Sequence, residues 1–261
     1  MIPRGVIGVI HLGAMPGDPG PVASFDEVVA RAVEDATRWH EAGAQALVVE
    51  NFGSAPFPKG TRGHRLPPHQ VAAMTRAVER VRAVGLPVGV NCLRNDAHSA
   101  LGIAAACGAA FVRVNVHTGA YVTDQGVIEG EADETLRYRA SLGVDVAILA
   151  DVLVKHASPL APLSMTRAVD ETLKRGRADA VIVSGTGTGA PVDERALAEA
   201  RAAAGDAVVL LGSGLTPTNA AVLAKLADGA FVGTYAKVDG IVTNPVDVER
   251  ARAVVAAFTR T

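Results

Sequence analysis

Eight short, continuous apolar runs, each followed by a stretch of helical spacing, constrain the fold of this chain more than any other feature. The runs cover 6–11, 46–50, 88–92, 111–116, 146–151, 180–184, 208–212 and 230–234, and they are rich in β-branched residues. Their polarity does not alternate, which is the pattern of parallel strands covered on both faces. Between them lie Ala-, Arg- and Glu-rich segments at 25–41, 68–84, 97–106, 131–141, 165–175, 194–204 and 217–226, with a last one at 246–258. Ser24, Asp193 and Thr216 stand where N-caps are expected, and Gly43, Gly85, Gly143 and Gly205 where helices end. Eight strand–helix units over 261 residues match a closed (β/α)8 barrel, which takes about 250. No linker or composition shift divides residues 1–261, so one domain is expected.

Composition narrows the function classes. Apolar residues make up 49% of the chain, enough for a full core, while 25 Lys and Arg against 27 Asp and Glu leave no basic block for a nucleic-acid backbone. No run approaches the roughly 18 apolar residues of a transmembrane helix. Two cysteines, Cys92 and Cys107, form no disulfide framework or zinc cluster and suit a reducing cytoplasm.

The connections after strands are longer and richer in Gly, Pro and polar residues than those before them, and barrel sites lie at the C-terminal strand ends. Three Gly-rich turns follow the last three runs. They offer Gly185, Gly187 and Gly189, then Gly212, Ser213 and Gly214, then Gly233 and Thr234. Glycine lets main-chain amides approach an anion closely, so three such turns at adjacent strand ends predict a phosphate cradle. Each turn taken alone is equally well explained as a simple change of direction. The arrangement resembles the phosphate-binding barrels such as the tryptophan synthase α subunit, and with them the ribulose-phosphate-binding type of (β/α)8 barrel.

Longer strings carry a more specific resemblance. IGVIHLGAMP at 7–16, VENFGSAPF at 49–57, VNVHTGAYVTDQGVIEG at 114–130, DVLVKHASPL at 151–160, SGTGTGAPVD at 184–193 and VGTYAKVDGIVTNPVD at 232–247 are similar to the BtpA/SgcQ family across nearly the whole chain. That resemblance implies the barrel fold. It also implies two functional settings: photosystem I biogenesis in photosynthetic members, and sugar uptake or sugar-phosphate metabolism in others.

Candidate chemistry sits on other strand ends. Glu50 closes the second run, where a buried carboxylate can act as acid or base; a carboxylate held by main-chain amides for structure is the competing reading. The resembled α subunit also uses a carboxylate on its second strand. Asp151, Lys155 and His156 bring a carboxylate, an amine and an imidazole into one loop. Lys155 lies four residues beyond Asp151 and is expected outside the barrel, which argues against a Schiff-base nucleophile. Arg113, Asn115 and His117 alternate on the fourth run and should share a face, with Arg113 deep and His117 at the mouth. His11, Asn51, Asn91 and Asn115 are expected to contact substrate, as are Asp124, in a lid-like loop at 118–130, and Lys237 beyond the eighth run. A divalent metal could draw on His11, His117, Asp151 and His156, but their spacing matches no compact ligand motif, so no metal site is assigned.

The sequence therefore predicts a phosphosugar or phosphoribosyl enzyme working by acid–base chemistry as a lyase, an isomerase or in glycosyl-bond cleavage. Its ligand is a phosphorylated small molecule, and a homodimer is expected. The alternative is a non-catalytic assembly factor acting through protein or membrane-surface contact.

Overall fold

A computed structural model describes residues 1–185, 187 and 191–258. Its strands and helices are, in chain order, β1 (Gly5–His11), α1 (Phe25–Glu41), β2 (Ala46–Glu50), α2 (Pro68–Arg82), β3 (Val88–Asn91), α3 (Ala97–Cys107), β4 (Phe111–Val114), β5 (Ala120–Thr123), β6 (Gly126–Glu129), α4 (Ala132–Leu142), β7 (Ala147–Val152), β8 (Ala157–Pro159), α5 (Met165–Asp170), β9 (Ala180–Val183), α6 (Glu194–Ala204), β10 (Val208–Leu211), α7 (Ala220–Leu223), β11 (Gly229–Val232) and α8 (Val248–Ala257). Eight of the strands close a parallel barrel in the order β1-β11-β10-β9-β7-β4-β3-β2.

Alternation along each strand sorts its side chains into two layers. Ile7, Val9, Ala46, Val48, Phe111, Leu149, Ile182, Leu210 and Phe231 fill the barrel interior, while Val6, Ile10, Leu47, Val49, Val112, Ile148 and Val181 face the helices. The interior ring of Phe111 occupies the space a Cβ on Gly89 would need, so the glycine makes room for the largest residue of its layer. Outside, α1 shows how a helix docks. Ser24 and Glu27 form a capping box worth about 1 kcal/mol. Val28, Ala32, Ala36 and Trp39 form its buried face, and the Trp39 indole occupies the space a Cβ on Gly8 of β1 would need.

Three expectations change. The segment 217–226 forms only the short α7, because Asn219 bonds the Thr216 amide and the Gly214 carbonyl and turns 216–219 into a loop; Thr216 therefore caps no helix. Helix α5 ends in a π turn over Glu171–Arg175, which presents the Gly176 carbonyl to the loop after β4. The lid-like loop is a β-hairpin: β5 pairs with β6 and, on its other edge, with β8. Tyr121 and Ile128 of the hairpin bury against Val116 and Val154. No helix among the described residues is long and apolar enough to cross a membrane.

Candidate active site

One step of two beyond the apolar interior brings a ring of other residues to the barrel mouth: His11, Glu50, Asn91, Arg113, Asp151, Ser184, Gly212 and Gly233. Register aligns His11 with Glu50 and Glu50 with Asn91 across neighbouring strands. Above this ring lies a cavity of about 180 Å³ lined by His11, Glu50, Arg113, Lys155, Ser213, Gly214, Leu215, Gly233, Thr234 and their neighbours.

Glu50 is where the sequence predicts it, buried and facing inward. Its Oε2 accepts from Nδ2 of Asn91 at 2.7 Å, so Asn91 positions the carboxylate instead of offering that amide to a ligand. Asp151 is different. It receives Nε and Nη2 of Arg113 at 2.9 Å each, Nδ2 of Asn115 at 3.1 Å and Oγ of Ser184 at 3.1 Å. Four donors use the accepting capacity of a carboxylate whose side chain is fully buried. Asp151 thus neutralises Arg113 at the cavity floor and does not line the cavity. Burial opposes the charge on Arg113, but Asp151's charge and hydrogen bonds, with Glu50 beyond, outweigh it and raise the pKa. The guanidinium also stacks 4.9 Å above the Phe231 ring.

Lys155 corrects the expectation of a position outside the barrel. It lines the same cavity as Glu50 and His11. Leu153 and His156, on either side of it, hold left-handed φ values of 47° and 57°, costly for residues with a Cβ. Nη2 of Arg94 fixes the Lys155 carbonyl at 2.7 Å. Among the described residues the ammonium has no ion-pair or hydrogen-bond partner. Burial lowers its pKa, and the Arg113 charge adds to that effect; Glu50 and Asp151 oppose it. His11 is pushed well below the usual histidine value by burial and then by Lys237, Lys155 and Arg113. Its imidazole is neutral near pH 7, and Nδ1 is buried without a partner.

Other expected site residues serve the frame. His117 turns away from the mouth and shares a hydrogen bond of 2.8 Å with the Gly176 carbonyl, because β4 ends at Val114 and its alternation ends there too. Asn51 embraces the main chain of Leu93 through its amide oxygen and nitrogen, and Asn95 does the same to Val116. Lys237 is buried in an ion pair with Asp35 of α1, not directed at a ligand and not paired with Asp239. His156 faces Gly187 and a second cavity lined by Ser184, Gly185 and Asp193. Asp124 occupies the hairpin turn, close enough for its charge to act on Arg94 and His156. His11, His117, Asp151 and His156 are not assembled into a metal site; among the described residues no group of three or more His, Cys, Asp or Glu is. Arg94, missed in the sequence, is buried with Nε unsatisfied. Only its place two residues before the α3 cap could have marked it.

The Gly-rich rim is partly committed. The Gly185 amide donates to Oγ of Ser213 at 3.3 Å, and the Gly212 amide to the Val183 carbonyl at 2.8 Å. Gly189 lies outside the described residues. The amides of Gly214 and Leu215 meet no acceptor among the described residues, and both residues border the cavity. A Cβ on Gly233 would strike the His11 ring, so this turn approaches the imidazole only because it is glycine.

Closed topology and a mouth lined by polar strand ends define a (β/α)8 barrel. The BtpA family model matches residues 3–260, and the chain belongs to that family. It is 46% identical over 254 residues to the photosystem I biogenesis protein BtpA of Synechocystis, covering 97% of this chain and 87% of that one. It is 31% identical to the putative sgc region protein SgcQ of Escherichia coli, with coverage of 95% and 91%. Among solved structures, a tryptophan synthase from M. tuberculosis superposes with a TM-score of 0.58 at 19% identity, covering 98% and 92%. Phosphoribosyl anthranilate isomerase from Thermus thermophilus gives 0.56 at 15%, covering 97% of each chain. At these identities the structures share the fold.

Proposed function

We propose that the barrel mouth is the active site of an enzyme acting on a compact phosphorylated metabolite of the sugar-phosphate or phosphoribosyl kind, with residues 1–261 working as one domain. One observation carries this reading: two uncommitted amides, Gly214 and Leu215, open on the same cavity as Glu50, His11 and Lys155. The amides, with Thr234 at the end of the neighbouring strand, hold the phosphate. Because α7 has only four residues, the cradle depends on loop amides more than on a helix dipole. Glu50, steadied by Asn91, exchanges a proton with the reacting carbon or its oxygen, above a floor closed by the Arg113–Asp151 pair. A cavity of about 180 Å³ is smaller than the roughly 300–1,000 Å³ of drug-sized pockets, which favours a ligand of a few carbons. Names of the structural neighbours, which refer to phosphoribosyl and phosphate compounds, agree with that class.

Titration with inorganic phosphate and with small sugar phosphates, followed by calorimetry, tests the reading. Saturable binding that is lost in Gly214→Val and kept in Glu50→Gln is expected. No binding at millimolar ligand overturns it. The name of the Synechocystis relative supports a second reading, an assembly factor. Val122, Val127 and Leu160 leave an apolar strip exposed on the hairpin sheet that such a role could use. A stoichiometric partner whose capture survives Glu50→Gln but not charged substitutions at Val122 and Val127 would favour it.

A further inference from the structure

We infer that Lys155 is a nucleophilic amine that forms an iminium with a carbonyl carbon of the ligand, so that the substrate is an aldehyde or ketone carrying a phosphate. The inference rests on the phosphometabolite reading above and adds the functional group that reacts. Three observations on the loop after β7 point the same way. The side chain reaches the cavity shared with Glu50, His11 and the uncommitted amides of Gly214 and Leu215. Among the described residues its nitrogen makes no ion pair, whereas Arg113 of the same cavity wall is already matched by Asp151. The main chain around it is held in an unfavourable shape, left-handed at Leu153 and His156 and pinned at its carbonyl by the buried Arg94. Backbone strain of that kind persists where surrounding structure enforces it, and here its effect is to fold Lys155 back over the barrel. The remaining lysines differ: Lys237 is paired with Asp35, Lys174 with Asp170, and Lys59 and Lys225 do not line the cavity.

The step balances within the site. The Lys155 ammonium passes a proton through one relaying water to the Glu50 carboxylate, and the freed nitrogen lone pair adds to the carbonyl carbon while the C=O π pair moves to oxygen. A proton shifts from nitrogen to that oxygen, giving a neutral carbinolamine. Glu50 then returns its proton to the hydroxyl, water leaves, and the nitrogen lone pair closes the C=N bond. Ammonium, carboxylate and carbonyl have become iminium, carboxylate and water. Burial, and after it the Arg113 charge beneath the cavity, favours the neutral amine over the ammonium.

The full chain is incubated with D-glyceraldehyde 3-phosphate or dihydroxyacetone phosphate, reduced with sodium borohydride, digested and read by mass spectrometry. Lys155 should carry the reduced adduct at least tenfold above Lys59, Lys174 or Lys225, with inorganic phosphate competing. Unphosphorylated glyceraldehyde should label it far less. Competitive acetylation across pH, without ligand, should show Lys155 reaching half its reactivity at a lower pH than an ordinary lysine amine. Even labelling of all lysines, or a Lys155 that titrates with the surface amines, overturns the inference. If phosphate binds by calorimetry yet no adduct forms, the amine role falls and the phosphate site stands; if neither occurs, both fall.

Discussion

Arg113 and Asp151 meet in a two-point fork beneath the cavity, with two N–O distances of 2.9 Å and both side chains almost fully removed from solvent. Removing one member leaves the other charge buried alone, which costs about 3–5 kcal/mol. Asp151→Ala is expected to lower unfolding stability by that amount in urea titrations, and the double variant Asp151→Leu with Arg113→Met to recover much of it. A loss below about 1 kcal/mol in Asp151→Ala would mean that the carboxylate does not hold the floor.

The Gly214 turn has φ of +75°, a region that a β-branched residue enters only with strain. Gly214→Val should weaken inorganic phosphate binding about tenfold or more, equivalent to about 1.4 kcal/mol, in isothermal titration. Leu223→Ala, in the helix that follows, is the control: it should reduce stability while leaving phosphate affinity near that of the parent.

Two histidines set an acid limit. Burial depresses His11 well below the usual value and depresses His117 despite its bond to Gly176. Below about pH 6.5 the unfolded chain binds protons that the folded chain refuses. Their contribution is therefore complete above that pH and is lost as pH falls toward the folded-state values. Each histidine adds at most about 1.4 kcal/mol per pH unit to the slope. Unfolding measured between pH 7 and 5 should lose part of this slope in His117→Gln, and an unchanged slope would rule out the neutral buried imidazole.

Tyr121 anchors the hairpin by burying its ring with Val116, Ile128 and Val154. Truncating a buried aromatic costs about 3–5 kcal/mol. In Tyr121→Ala that loss should fall first on β5 and β6. Limited proteolysis should cut within 123–126 much faster than in the parent, while amides of β1 and β2 keep their exchange protection. Uniform loss of protection would show the hairpin to be integral to the barrel.

The barrel is legible in the sequence because strands covered on both faces must be apolar throughout, and β2, α1 and α6 occupy the predicted residues. Glu50 is legible for the same reason: period two fixes its direction as long as the strand continues. His117 is not, since β4 stops three residues earlier and direction beyond a strand end depends on neighbours. Lys155 is misread for the opposite reason. The strained turn that returns it to the cavity uses Leu153 and His156, residues whose types carry no turn signal. Lys237 depends on Asp35, 202 residues away, a pairing no local pattern encodes.

Asn51 and Asn95 give the barrel mouth a handedness of function. Their side-chain amides act as an extra strand neighbour for Leu93 and Val116, so the arc from β2 to β4 is laced shut by bonds internal to the protein. Across the cavity, the Gly214 and Leu215 amides remain unspent. A ligand completes one arc and is merely received by the other. If the proposed phosphate ligand binds there, the mouth is a directional socket: its anionic tail seats on the glycine side, and what it carries arrives head-first at Glu50.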